Sequence, residues 1–334
     1  MRILLVSNMY PSRSRPEYGV FVAGLAEALR GRGHQVDEAV VRDPRPGALR
    51  TPFKYAMLTA RACSLARDRP DAVYAHYLVP TGLSALLAAR IAGAPAVITA
   101  HGQDVENARA NPVMGVLTRQ VLHRSAAVIA VSEYLSGRLP PGARRVEVID
   151  CGVDTERFQP APRAAGDGPR YLFIGSLTER KNPRRLLAAF AELGEGSLAV
   201  AGGGPLETEL RSAAPAAVRF LGRLTPDGVR DALASADVLV APSLVEPQGQ
   251  VVLEGMACGR PVVATRVGGP AELVDERCGI LVDPLDVGSI ADGMRRAARL
   301  PVPCRAAVEV AEAHSRGLQA ERIETLLEEL THRS

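Results

Sequence analysis

Lysine is almost missing from this 334-residue chain: of its 40 basic residues only Lys54 and Lys181 are lysine, and the rest are arginine. In a chain that defaults to arginine, a lysine marks a place that calls for a compact ammonium. Cysteine is sparse as well. Cys63, Cys151, Cys258, Cys278 and Cys304 are scattered, odd in number and never spaced C-x-x-C, so reduced thiols are the simplest account. No apolar run reaches the ~18 residues of a membrane span; Leu83 to Thr99 comes nearest and contains Arg90. Met1 to Tyr10 is a short apolar strand without a small-residue cleavage site, so no export signal is expected. H-E-x-x-H, C-x-x-C and D-x-D are all lacking, and no metal is expected. The G-x-G-x-x-G fingerprint is lacking too, which sets aside an NAD-dependent dehydrogenase. A cytoplasmic protein is the expectation.

What remains is ordinary globular material, 47% hydrophobic and 23% charged. The length favours two domains of ~150 residues each. Charge divides unevenly: residues 1–165 carry a net +7 and residues 166–334 a net −4. The basic first half suits an anionic partner, either a phosphorylated acceptor or the inner membrane face. Solvated charge on ordinary helices would explain it equally well.

Arg2 to Ser7 is a near-continuous apolar strand, fit for the middle of a parallel sheet. Gly19 stands at the mouth of a helix from Phe21 to Arg30, and His34 to Val41 follows as a second strand. Gly19 either lets a phosphate approach the backbone or serves as a plain turn glycine. Leu49 to Arg67 is amphipathic and basic, a helix that packs on the sheet or lies on a membrane. Strands then end at His76 and at His101-Gly102, with helices over Thr81 to Ala92 and Val113 to Leu122. Both histidines sit where open α/β sheets place ligands, and Gly102 clears space beside His101. Ala126 to Val131 and Val146 to Ile149 complete this half.

From Cys151 to Gly168 the periodicity fades and Pro160, Pro162, Gly166 and Gly168 accumulate, which reads as a linker. A second series of strands and helices begins at Tyr171. Gly202-Gly203-Gly204 is expected to be a strand-to-helix turn, since no further glycine completes a phosphate fingerprint. The densest stretch runs from Ser243 to Thr265, SLVEPQGQVVLEGMACGRPVVAT. It predicts a loop holding Glu246 and Gly249, a helix from Gln250 to Cys258, and a strand from Pro261. Two carboxylates, Glu246 and Glu254, therefore flank a helix start, where anions and sugars bind. An amphipathic helix, Leu318 to Leu330, ends the chain.

These features resemble the retaining glycosyltransferases of the GT-B fold, in their large fourth family, over essentially the whole length. The most specific match is E-x7-E, Glu246 to Glu254; GVFVAGLAEALRGRGHQV, TAHGQDV, VIDCGVDTERF, FIGSLTERKN and VGGPAEL accompany it. HYLVPTGLSALLAAR is similar to members of cell-surface polysaccharide pathways, a weaker signal. The resemblance implies an α/β fold of two Rossmann-like doubly wound domains with a cleft between them. Residues 1–160 would form the acceptor domain and 161–314 the donor domain, with a helix over 315–334 returning to the first. It implies that Glu246 holds donor-sugar hydroxyls and Glu254 the ribose, roles that suit acceptor-only carboxylates. Gly249, Gln250 and Val251 would offer amides to sugar and diphosphate, and Lys181 with Arg180 would meet the diphosphate. His101 would lie near the anomeric centre, Gly19 at the diphosphate and Arg223 beside the base.

Three departures mark the chain. Ser176 stands where the family has arginine, Gln248 where it has an aromatic residue, and Gly19 is single where many members have two glycines. The implied activity is transfer of a hexosyl group from a UDP- or GDP-sugar to a hydroxyl on a small molecule, lipid or glycan. No metal or other cofactor and no nucleic acid would take part. A nucleotide-sugar 2-epimerase and a non-catalytic sugar-binding subunit are the rival readings.

Overall fold

Alternating apolar strands and helices build two separate parallel sheets in the computed structural model. It describes residues 1–42, 50–162, 166 and 168–332, with backbone alone at 50 and 51. The start of the basic helix at Leu49 and part of the 151–168 linker lie outside the described residues. The chain divides into unit 1, Met1–Gly152 with Arg316–Ser334, and unit 2, Val153–Ser315. The boundary therefore falls earlier than the expected 160/161. Val153 and Phe158 are buried in unit 2's core, and Val153 forms a parallel bridge with Ser315.

In unit 1, β1 (Arg2–Ser7), α1 (Val20–Gly31), β2 (Gln35–Val40), α2 (Arg50–Ala66), β3 (Ala72–His76), α3 (Thr81–Ala92) and β4 (Ala96–Ala100) come first. Then α4 (Gln103–Ala110), α5 (Pro112–Arg124), β5 (Ala127–Ala130), α6 (Glu133–Ser136) and β6 (Val146–Val148) follow. The sheet order is β2-β1-β3-β4-β5-β6, with every pair parallel. Alternate residues of β1 serve opposite faces. Leu4 and Val6 pack under α2, α3 and α5, whereas Ile3 and Leu5 pack under α1 and the last helix. Burial on both faces is why β1 reads as a continuous apolar run.

Unit 2 contains β7 (Arg170–Ile174), α7 (Pro183–Leu193), β8 (Ser197–Ala201), α8 (Glu207–Ala213), β9 (Val218–Gly222), α9 (Pro226–Ser235) and β10 (Val238–Ala241). It continues with α10 (Gln250–Ala257), β11 (Val262–Thr265), α11 (Pro270–Leu273), β12 (Gly279–Val282), α12 (Val287–Ala297) and α13 (Arg305–Ala313). Its order, β12-β11-β10-β7-β8-β9, is the doubly wound order in which the winding reverses between β7 and β10. Loops that leave this pair diverge to opposite faces and open a crevice at their carboxyl ends. Residues 175–182 and 242–249 occupy that crevice.

The chain closes with α14 (Arg316–Thr331), which buries Ala320, Ile323, Leu326 and Leu327 against unit 1. Polar contacts fix its register. The Glu324 carboxylate meets His34 Nε2 at 2.7 Å, and the Met1 ammonium meets His34 Nδ1 at 3.2 Å. Arg145 reaches Glu329 at 2.8 Å. Among the described residues, no helix is long and apolar enough to cross a membrane.

Candidate functional site

The reversal point of unit 2 brings the second lysine of the chain to the first glutamate of E-x7-E. Lys181 closes a short 3-10 turn, Glu179–Lys181, between β7 and α7, and its Nζ donates to Glu246 Oε2. Ser243 Oγ donates to the same oxygen at 3.2 Å, and the Arg180 guanidinium lies 3.8 Å from it. One carboxylate thus faces two cations, and positive charge is in surplus. Lys181 and Glu246 are both mostly buried, at 15% and 12% side-chain exposure, so water screens their field weakly.

Backbone contacts hold both sides of this pair. Leu244 N–H donates to the Arg180 carbonyl at 2.8 Å, and Arg180 reaches the Val245 carbonyl at 3.3 Å. Asn182 adopts a left-handed backbone, φ +59°, and donates to the carbonyls of Pro242 at 3.0 Å and Pro284 at 2.6 Å. Sequence reasoning passed over Asn182. Its signal was an asparagine, tolerant of positive φ, directly before a proline-initiated helix. Gly268 makes a parallel bridge to Glu246, and a Cβ there would collide with the Glu246 carbonyl.

Gly249 is the N-cap of α10 at φ +96°, which directs the first amides of the helix, at Gln250 and Val251, out of its end. Gln248 and Gln250 are within 3.4 Å of each other across this entry, and Glu254 lies one turn further along α10. Arg223 is exposed beyond β9, its Nε lying 3.2 Å from where a Cβ on Gly203 would stand. The triple glycine answers to the protein's own backbone. Side chains at Gly202 and Gly204 would strike the carbonyls of Gly175 and Leu177. Lys181, Arg180, Glu246 and residues 248–254 therefore gather in one crevice of unit 2.

His101 and Gly19 belong to unit 1. His101 Nε2 is 3.0 Å from His76 Nδ1, and His101 Nδ1 is 3.8 Å from Cys151 Sγ. The rings of Phe21 and Tyr77 pack on His101 at 5.0 and 4.6 Å. His76 Nε2 is buried with no partner among the described residues. A bare acceptor left there costs less than an orphaned N–H, so His76 Nδ1 is assigned as donor to His101 Nε2. Asp104, also missed in the sequence, accepts from the backbone N–H groups of Leu78, His101, Gly102 and Val105. Gly19, φ +74°, caps α1, and a Cβ there would lie 2.7 Å from Met9 C; its own neighbouring loop suffices to require glycine.

Burial pushes His101 down to about 3 and His76 well below the ordinary histidine value, the latter helped by charge on His101. Both rings are neutral near pH 7. A histidine with a folded pKa below its unfolded value stabilises the fold fully above about pH 6.5, and that stability fades as pH falls toward the folded pKa. Stability should therefore drop between pH 6.5 and 5 by up to about 1.4 kcal/mol per pH unit per histidine. Urea midpoints at pH 7, 6 and 5 check this, and a flat profile would contradict it.

Comparison with known proteins now adds to this geometry. The family described as glycosyl transferases group 1 matches residues 168–299, and glycosyltransferase family 4 matches residues 19–157. A glycogen synthase of Mycobacterium tuberculosis is 30% identical over 356 residues, spanning 88% of this chain and 85% of that protein. The chain belongs to glycosyltransferase family 4. It is thus a glycosyltransferase with a two-domain Rossmann-like fold of the GT-B type. The solved sucrose-phosphate synthase of Thermosynechococcus elongatus is similar over 100% of both chains, with a TM-score of 0.86 at 21% identity. Anabaena HepE, solved in complex with UDP-glucose, gives a TM-score of 0.78 at 20% identity over 99% of this chain and 100% of that one.

Proposed function

We propose that this glycosyltransferase moves a hexosyl group, with retention and without a metal, from a nucleoside diphosphate sugar to a hydroxyl acceptor. The observation that carries this reading is the Lys181–Glu246 pair at the reversal point, beside the N-terminus of α10. A leaving diphosphate needs fixed positive charge, which Lys181, Arg180 and the α10 amides supply. Sugar hydroxyls need an acceptor, which Glu246 supplies once the ammonium turns to phosphate. Glu254, one turn along, suits the ribose diol, and Arg223 borders the base. Retention follows a front-face route in which the leaving phosphate takes the acceptor proton, so no carboxylate nucleophile is required. UDP and GDP are the favoured nucleotides; the likeness to HepE, solved with UDP-glucose, supports the first.

A thermal-shift series with UDP, GDP, dTDP and ADP tests the donor half. One nucleotide should raise the melting point by mass action, by about 2.7 kcal/mol of stability at a hundred times Kd. No shift with any of the four would contradict the reading. Sugars on the preferred nucleotide then report transfer. Activity that survives EDTA supports metal independence, and activity lost in EDTA and restored by Mg²⁺ refutes it. Isomerised donor formed without acceptor would favour the epimerase instead.

A further inference from the structure

His76 is a buried titratable side chain that the donor crevice does not use. It ends β3 at 0% exposure, in register with Ser7 of β1 on one side and Thr99 of β4 on the other. The middle of the sheet therefore fixes where its ring stands. Its Nε2 has no hydrogen-bond partner among the described residues, which burial makes costly. Tyr77 follows at φ +75°, a left-handed backbone that is rare for an aromatic residue and clusters at functional sites. From there its ring packs on His101 with centroids 4.6 Å apart, and its hydroxyl donates to Met9 Sδ at 2.9 Å. Sheet, buried imidazole and strained turn all converge on His101.

The two rings meet at 3.0 Å, His76 Nδ1 to His101 Nε2, with centroids 5.2 Å apart and planes inclined by 28°. That gap has room for one proton. Both rings are neutral near pH 7, so each carries one N–H and one bare nitrogen. If His101 filled the gap, the N–H of His76 would sit on Nε2, buried and orphaned. If His76 fills it, Nε2 keeps only a bare lone pair, the cheaper vacancy. His101 then carries its single proton on Nδ1. The protein atom facing that proton is Cys151 Sγ at 3.8 Å, a weak acceptor. His101, unlike His76, is partly exposed, so a ligand can reach it.

We propose that His76 is a positioning residue for glycosyl transfer, fixing His101 as the Nδ1–H tautomer so that His101 meets the donor sugar as a hydrogen-bond donor. The proposal rests on the reading that places His101 near the anomeric centre. Which imidazole nitrogen carries the proton is set by the hydrogen bond that the other nitrogen makes, and here His76 makes it. Sulfur holds an N–H weakly, so a sugar oxygen readily takes the place of Cys151. The opposite tautomer would turn a bare nitrogen toward that oxygen and set two lone pairs against each other. His76 is sealed from solvent and acts only through its neighbour.

Nitrogen-15 spectra of the histidine-labelled protein read the tautomer directly, with His101→Gln assigning the signal. At pH 7 the parent should show His101 protonated at Nδ1 and bare at Nε2. His76→Asn carries an amide that donates from nearly the same point, so it should keep that tautomer and nearly all of kcat/KM for the preferred donor. His76→Phe should move the His101 proton toward Nε2 and lower kcat/KM about tenfold. Nucleoside diphosphate should raise the melting point of both variants as it does the parent's, since its crevice belongs to unit 2. A parent proton on Nε2 would overturn the proposal, even if His76→Phe failed to fold. Equal loss of kcat/KM in His76→Asn and His76→Phe would also overturn it, and so would an unchanged tautomer in His76→Phe. Unchanged transfer by His101→Gln would overturn the reading of His101 itself, and the role of His76 with it, whatever tautomer the spectra show.

Discussion

Lys181→Ala should lower kcat by about 10² or more, the scale on which removal of a charge-stabilising donor acts. Its ammonium is the compact cation at the reversal crevice, and it is nearly buried, so its field on a leaving phosphate is weakly screened. The substitution leaves Glu246 with Ser243 and with Arg180 at 3.8 Å, so the carboxylate does not become an unpaired buried charge. Folding should therefore survive, and the loss should appear in turnover. Steady-state kinetics with the preferred donor, beside a melting curve for each protein, separate the two. An unchanged kcat would remove Lys181 from leaving-group stabilisation. Lys181→Arg should restore little, because a planar fork cannot occupy the same point beside Glu246.

Asp104→Ala should cost about 3–5 kcal/mol of stability in unit 1. Its carboxylate is almost fully buried and accepts from four backbone N–H groups, at 3.0 Å from Leu78, 3.1 Å from His101, 2.9 Å from Gly102 and 3.0 Å from Val105. Alanine would leave those donors without an acceptor in a place water reaches poorly. Burial raises the Asp104 carboxyl, and the four donors pull it down. Urea denaturation at pH 7 measures the effect. A change below about 1 kcal/mol would mean that water replaces the carboxylate. Asp104→Asn keeps one acceptor oxygen and should lose less. The backbone of His101 hangs from this residue, so activity should fall along with stability.

Strands and their ends were the legible part of this fold. Arg2 to Ser7 is a strand where the sequence places one, another strand ends at His76 as expected, and beside them the helix over Thr81 to Ala92 also lies where periodicity puts it. α12 was not anticipated because Gly288 and Gly293 blur its helical pattern. Gly293 is there because β12 packs tightly against it, and a side chain would strike Val282. α4 is polar and short, and its start at Gly102 carries no capping side chain. In the site, Lys181 and Glu246 stood out by residue type, but 65 positions separate them and only the β7–β10 neighbourhood joins them. Asn182 and Asp104 were illegible for a different reason. Their work is to satisfy backbone groups, and a sequence does not say which carbonyls and amides will be buried near them.

The return of α14 to unit 1 bears on how a ribosome delivers this molecule. Unit 2 is one uninterrupted stretch, Val153–Ser315, and has all its strands before the last helix is made. Unit 1 has its whole sheet by Val148, yet Ile3, Leu5 and Tyr74 lack the wall that Ile323, Leu326 and Leu327 provide. The half synthesised first is thus finished last. Until α14 has formed, the part of that face that α1 leaves uncovered is open apolar surface, the kind that chaperones hold. A stop codon ahead of Arg316 would spare unit 2 and leave unit 1 with part of one core face uncovered.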